Sequence, residues 1–304
     1  MNASNVPSAA KVSVATVAQS LHFPPSAPRV LPLLKRQLVD INVDIQQIID
    51  LVRLDPGISA RVLQAANSMV FSRGVRCHSV AVAVNRIGFN HIFEIVANAV
   101  AEQVLVQSLV SYSIEADEFW RRSVVCGLAA ERLAGMRGED PNTAYTMGLL
   151  HGVGMVAVDQ WVQRHMPTLG FFGRGFPNDF SEGERVLLGF TSAEVGAAVL
   201  RGWEFPPEMS EPIRWQHAPQ GAVAHKQLNC LLYASRWLTD RVCAGANWKG
   251  VIPDQRLLAP LQLTAASLAN EVDELNGQLD LVLRNLGVEG PVEAESHGGD
   301  QLNG

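Results

Sequence analysis

The sequence contains no apolar run approaching the roughly 20 residues that a membrane-spanning helix needs. It also has no run of Lys and Arg, so it offers no electrostatic footprint for nucleic acid. No basic segment precedes a clean apolar stretch near the N-terminus, where Ser13, Thr16, Gln19 and Ser20 interrupt. A signal peptide is therefore not expected, and a cytoplasmic location is. The four cysteines, Cys77, Cys126, Cys230 and Cys243, stand far apart without a C-x-x-C pair. A zinc knuckle or dithiol redox site is thereby excluded, and reduced, packed thiols are expected. G-x-S-x-G and H-E-x-x-H are absent, which removes the serine-hydrolase elbow and the zincin helix. The glycines of Gly170-Phe171-Phe172-Gly173-Arg174-Gly175 fit neither a P-loop nor a dinucleotide fingerprint, and a loop is expected there.

What is present is a globular composition: 304 residues, 47% hydrophobic and 18% charged. A body of this size buries about three quarters of its unfolded surface. The net charge of −6 is uneven, because residues 269–304 carry eight acids against Arg284 alone. The rest of the chain is close to neutral.

Helical periodicity with chemical start signals runs through the chain, strand signals are weak, and the fold class is all-α. Residues 1–27 end in Phe23-Pro24-Pro25-Ser26-Ala27-Pro28 and form an extended or partly disordered lead-in, with Val14, Val17 and Leu21 compatible with a short helix. Asp44 with Gln47 opens a helix over 44–54, and Asp55-Pro56 opens the next, with Ile58, Val62, Leu63 and Ala66 on its buried face. Further helices are expected over 79–87, ending at Gly88, and over 90–110 and 115–134. Asp140-Pro141 begins a helix that carries His151. Ser181 with Glu184, and Thr191 with Glu194, read as capping boxes ahead of helices over 192–202, 207–217 and 225–243. Trp120, Trp203, Trp215 and Trp237 occupy apolar helical positions and read as core. Beyond Pro260, Leu268, Val272, Leu275, Leu279, Val282 and Leu286 are spaced as a heptad seam, and a C-terminal heptad helix is expected over 251–287. Two uses of that seam are open, packing back onto the body or forming a homodimer. The tail from 288 to 304 is expected to be disordered.

Two groups of segments together resemble the HDOD family, the HD-related output domains of bacterial signalling proteins. The first is Leu54-Asp55-Pro56-Gly57-Ile58-Ser59-Ala60-Arg61-Val62-Leu63-Gln64-Ala65-Ala66-Asn67-Ser68, followed by Val80 to Gly88. The second is Phe119-Trp120-Arg121-Arg122-Ser123, then Gly148-Leu149-Leu150-His151, then Ala193 to Trp203, then Ile213 to His217. The resemblance implies an N-terminal helical lobe over 28–110 and a lobe shaped like an HD hydrolase over 111–250. It also implies a site where active HD relatives hold divalent metals through histidines and aspartates and activate a water on them.

Compared with that pattern, Arg122 replaces the first histidine, and the central His-Asp pair is His151-Gly152. Ser192, Gln216-His217 and Ser235 stand at the later positions, so only His151 and His217 remain. Two neutral imidazoles beside an arginine hold a divalent ion poorly. No metal or cofactor is expected, and the fallback set is His151, His217 and Asp159. Gly148 and Gly152, four apart on a helix, would let a neighbouring helix approach closely. Arg122 has two readings, an anion-binding guanidinium beside His151 and His217, or a partner to buried carbonyls, Glu94 or Glu194.

The resemblance implies a non-catalytic signalling module with a protein partner, in bacterial stress, motility or cyclic-dinucleotide regulation. The candidate partner surfaces are the helix end at Asn67 and Ser68 and the acidic heptad helix. A residual metal-dependent phosphohydrolase and a nucleotide or anion sensor built on Arg122 are the alternatives.

Overall fold

The structure, a computed structural model, describes residues 12–21, 30–39, 44–72, 74–101, 108–167, 172, 180–245, 248 and 250–286. The glycine-rich stretch around 170–175, apart from Phe172, and the acidic tail lie outside the described residues. So does the side chain of Glu94. Among the described residues the architecture is entirely helical, with one isolated bridge between Leu109 and Ile114.

The lead-in is not simply extended. Ser13 accepts the Thr16 amide at 3.2 Å and starts α1 (Val14–Ser20), whose Val17 and Ala18 are buried. Helices α2 (Val30–Val39), α3 (Ile45–Arg53), α4 (Pro56–Asn67) and α5 (Val80–Ala101) follow. Asp44 caps α3 through the Gln46 amide, and Asp55 caps α4 through the Ile58 amide at 2.9 Å. Such a cap contributes about 1 kcal/mol. Within α5, Gly88 adopts φ 77° and ψ 167°, a conformation that glycine alone takes readily, and it turns the chain there. The helix expected to reach Val110 ends among the described residues at Ala101. Val110–Tyr112 is instead a 3₁₀ turn closed by the Leu109–Ile114 bridge.

The site is positioned by α6 (Ala116–Arg137), α7 (Pro141–Leu149), α8 (Val153–His165), α9 (Phe180–Leu188), α10 (Ser192–Gly202), α11 (Pro207–Trp215) and α12 (Lys226–Ala244). Helix α7 packs closely on α6, and α8 packs on α10. Glycines permit both approaches. A Cβ on Gly148 would fall 2.4 Å from the Cys126 carbonyl oxygen, and one on Gly154 would fall 1.9 Å from that of Ser192. Helix α1 lies on α8 and α10 from outside.

Thr191 and Glu194 form the expected capping box at the start of α10. Ser181 and Glu184 do not form one, because both lie inside α9. Glu184 is fully buried and accepts the Tyr112 hydroxyl at 2.6 Å and the Ser192 amide at 2.7 Å. A long-range use of the carboxylate displaces the local one. Trp120 and Trp203 are buried, and the Trp120 indole donates to the Leu54 carbonyl at 2.9 Å.

In place of one heptad helix over 251–287, the chain continues through α13 (Gln255–Leu258), α14 (Ala265–Ala269) and α15 (Glu271–Asn285), with Thr264 capping a fresh start at α14. Leu268, Leu275, Leu279 and Leu286 are buried, Val272 and Val282 are half-buried, and α15 lies against α6 and α12. Arg132 of α6 pairs with Glu271 and, at 3.7 Å, with Glu274. The apolar seam offered as an interaction surface is therefore occupied within the chain. Burying one leucine side chain in this way contributes about 2 kcal/mol.

Candidate functional site

His151 does not sit inside a continuous helix. Helix α7 ends at Leu149 and α8 begins at Val153, and His151-Gly152 forms the turn between them. The break lets α7 meet α6 at Gly148 while α8 meets α10 at Gly154. Gly152 keeps φ −88°, so its backbone does not demand glycine, but a Cβ there would lie 2.7 Å from Cε2 of Phe119.

Within this turn the His151 ring is fixed by its own backbone, with Nδ1 2.7 Å from the Gly148 carbonyl oxygen. A carbonyl only accepts, so Nδ1 carries the hydrogen and Nε2 holds the lone pair of the neutral ring. Burial, with the charge of Arg236 and a smaller effect of Arg122, pushes the His151 pKa down to about 3. The ring is neutral at physiological pH.

His217 lies two residues past α11. The Gln216 amide nitrogen donates to the His151 carbonyl at 3.1 Å and ties this segment to the turn. From α12, Nη1 of Arg236 donates to the Gln216 carbonyl at 3.1 Å and faces Nδ1 of His217 at 3.2 Å. A guanidinium only donates, so Nδ1 of His217 is the acceptor and Nε2 bears the hydrogen. His217 keeps an exposed edge, yet the protein around the ring and the Arg236 charge hold its pKa well below the ordinary value.

Arg122 pairs with Asp240 of α12. Glu194, the one carboxylate alternative among the described residues, is not its partner, since it accepts the Thr191 amide and hydroxyl at 2.9 and 3.1 Å. Ser192 gives its amide to Glu184, and Ser235 bonds its own helix through the Leu231 carbonyl at 2.8 Å. Asp159 is buried on α8 and accepts the Ser111 amide at 2.7 Å, pinning the 3₁₀ turn. It is not brought to the two histidines. Among the described residues no group of three or more His, Cys, Asp or Glu side chains could hold a metal.

The donor set therefore does not fit a divalent ion. One imidazole lone pair is available at His151, the Nδ1 lone pair of His217 is taken by Arg236, and no carboxylate joins them. A guanidinium supplies the positive charge beside both rings. Sequence reasoning missed Arg236 and Asp240, although their i,i+4 spacing places them on one face of α12, next to Ser235.

Asn67, expected at a partner surface, is instead buried and braces the helix end from within. The Asn67 amide donates to the Cys77 carbonyl at 2.8 Å and accepts the Cys77 amide at 2.6 Å, while Arg86 donates to the carbonyls of Val75 and Ala66 at 2.7 and 3.3 Å. This bracing presents Met69, Val70 and Val75 to solvent at 98, 80 and 63% exposure.

An all-helical body in which a histidine turn faces a second histidine beyond the next helices has the architecture of HD-related output domains. The HDOD domain family model matches residues 25–219, and the chain belongs to that family. An uncharacterized protein of Treponema pallidum (strain Nichols) is 25% identical over 219 residues, covering 70% of this chain and 42% of that protein. The chain thus spans about two fifths of the length of this curated relative.

Among solved structures, the MmoQ response regulator of Methylococcus capsulatus str. Bath aligns with a TM-score of 0.64 at 17% identity, covering 82% of this chain and 97% of that one. A proposed phosphohydrolase of Shewanella amazonensis SB2B aligns at 0.51 and 20%, covering 91% and 99%. At these identities the likeness concerns the fold alone. A proposed signal transduction protein of Marinobacter aquaeolei VT8 aligns at 0.52 and 26%, covering 89% and 60%.

Proposed function

We propose that this chain is a non-catalytic signal-transduction module that has kept the HD-related fold and lost its metal chemistry. The observation that carries this reading is the contact of Arg236 with His217, which puts a fixed cation and its donor hydrogens at the surviving histidines. Metal-assisted hydrolysis needs several converging ligands to acidify a bound water, and this set supplies one free imidazole lone pair. Residual hydrolysis through His151, His217 and Asp159 is disfavoured because Asp159 is committed to Ser111. An anion sensor on Arg122 is disfavoured because Asp240 already pairs with it.

Output then rests on surfaces. The braced tip exposes Met69, Val70 and Val75 close together in sequence, and exposed apolar side chains on a hydrogen-bonded support suit a protein contact. The signalling description of the Marinobacter protein, at 26% identity, agrees with this reading. A photo-crosslinker at Met69 in the native host should capture one dominant partner, and Val70→Asp should abolish the capture. Equal capture from a crosslinker on the opposite face, or none above background, would contradict the assignment.

A further inference from the structure

A concavity of about 160 Å³ is lined by Arg185, Arg214, His217, Thr191, Glu194 and Trp215, with smaller residues between them. Its volume is well below the ~300 Å³ at which pockets begin to enclose a drug-sized molecule, so it suits one compact chemical group. Arg185 comes from α9 and Arg214 from α11, and neither guanidinium has an ion-pair partner among the described residues. The Arg214 guanidinium lies 5.4 Å from the centre of the Trp215 ring, and no hydrogen bond engages it among the described residues.

The one carboxylate in the lining, Glu194, is turned back onto the start of α10 by its bonds to Thr191. Two arginines and one glutamate leave the pocket with net positive charge. His217 adds a donor of known position, because Arg236 occupies its Nδ1 and leaves the hydrogen on Nε2.

We propose that this pocket binds the phosphoryl group of a small phosphate monoester, held by Arg185 and Arg214 with His217 as a third donor. Guanidinium groups pair with phosphate oxygens through two parallel N–H bonds. The pocket differs from the pseudo-active turn and does not depend on the signalling role proposed above.

The test is calorimetric titration of the full chain with inorganic phosphate and with glycerol 3-phosphate, using potassium chloride at matched ionic strength as control. Saturable binding of both phosphates is expected, weakened about tenfold by Arg185→Gln and again by Arg214→Gln, since each removes a charge-assisted bond. Both side chains are exposed, and unchanged helical circular dichroism would show that the variants fold. Should a variant unfold, the ring resonances of His217 in the unaltered protein give the second readout and must shift with phosphate but not with chloride. No saturable heat, affinity unchanged in both variants, or an unmoved His217 resonance would each overturn the proposal.

Discussion

Arg236 approaches Nδ1 of His217 at 3.2 Å and, through the same Nη1, bonds the carbonyl of Gln216. Gln216 in turn bonds the His151 carbonyl at 3.1 Å. One guanidinium thereby fixes the tautomer of one surviving histidine and, through Gln216, the backbone of the other. A divalent cation at this place would have to displace a cation that is already covalently part of the chain.

Replacing that charge should release the histidines. In Arg236→Gln, the pKa of His151 should rise from about 3, and that of His217 should rise from its depressed position. A ¹⁵N titration of both rings is the measurement. Burial remains in the variant, so recovery to the ordinary value near 6.5 is not expected for His151. Unchanged titrations would show that Arg236 does not control the rings.

The same depression sets an acid limit on stability. A histidine neutral in the folded state and protonated in the unfolded state contributes nothing to pH dependence above about pH 6.5. Below that, the unfolded chain binds the extra proton and stability falls, for His151 by up to about 1.4 kcal/mol per pH unit. Denaturant midpoints at pH 7.5 and pH 5 should show this loss, and His151→Gln should reduce it. An unfolding midpoint independent of pH over that range would contradict the assignment.

Restoring the aspartate should not restore an enzyme. In Gly152→Asp the new Cβ meets Phe119 at 2.7 Å, a side chain that must move. The expected cost is about 1–3 kcal/mol, read as a lower melting temperature without any gain in metal content. A stabilised, metal-loaded Gly152→Asp variant would argue against the arginine-centred site.

Glycines distinguish packing from mere helix position. Gly154→Ala places a methyl 1.9 Å from the Ser192 carbonyl oxygen and forces backbone apart, so a loss above about 2 kcal/mol is expected. Gly202, the last residue of α10, has nothing within 4 Å of an added Cβ. Gly202→Ala should raise stability by about 0.5–1 kcal/mol, by lowering the entropy of the unfolded chain and improving helix propensity. Chemical denaturation of the pair reads the opposite signs, and equal signs would show that the α8–α10 approach is not as tight as described.

Much of the fold was legible because its signals are local. Asp44, Asp55, Asp140 and Thr191 mark helix starts through bonds to the next few amides, and all four do so in the structure. The turn at His151-Gly152 was not legible, since an apolar run rich in small residues reads as one helix until α6 and α10 claim its two halves. Glu184 misled for the same reason. Its spacing from Ser181 fits a cap, but its bonds go to Tyr112 and Ser192, which only the tertiary fold brings near. At the site, the sequence shows Gly152 and Ser235 where the resembled pattern has aspartates, but it does not show that Arg236 packs beside His217. Arg236 lies 19 residues from His217 along the chain, and only the packing of α12 against α11 joins them.

The most direct test is the metal content of the purified full chain, measured by mass spectrometry after growth with manganese, iron and zinc, together with hydrolysis of phosphate mono- and diesters. The arginine-centred site predicts far less than one equivalent of any of the three, no dependence of metal content on His151→Ala, and no hydrolysis above the His151→Ala background. About one metal per chain, lost together with phosphoesterase activity in His151→Ala, would contradict it.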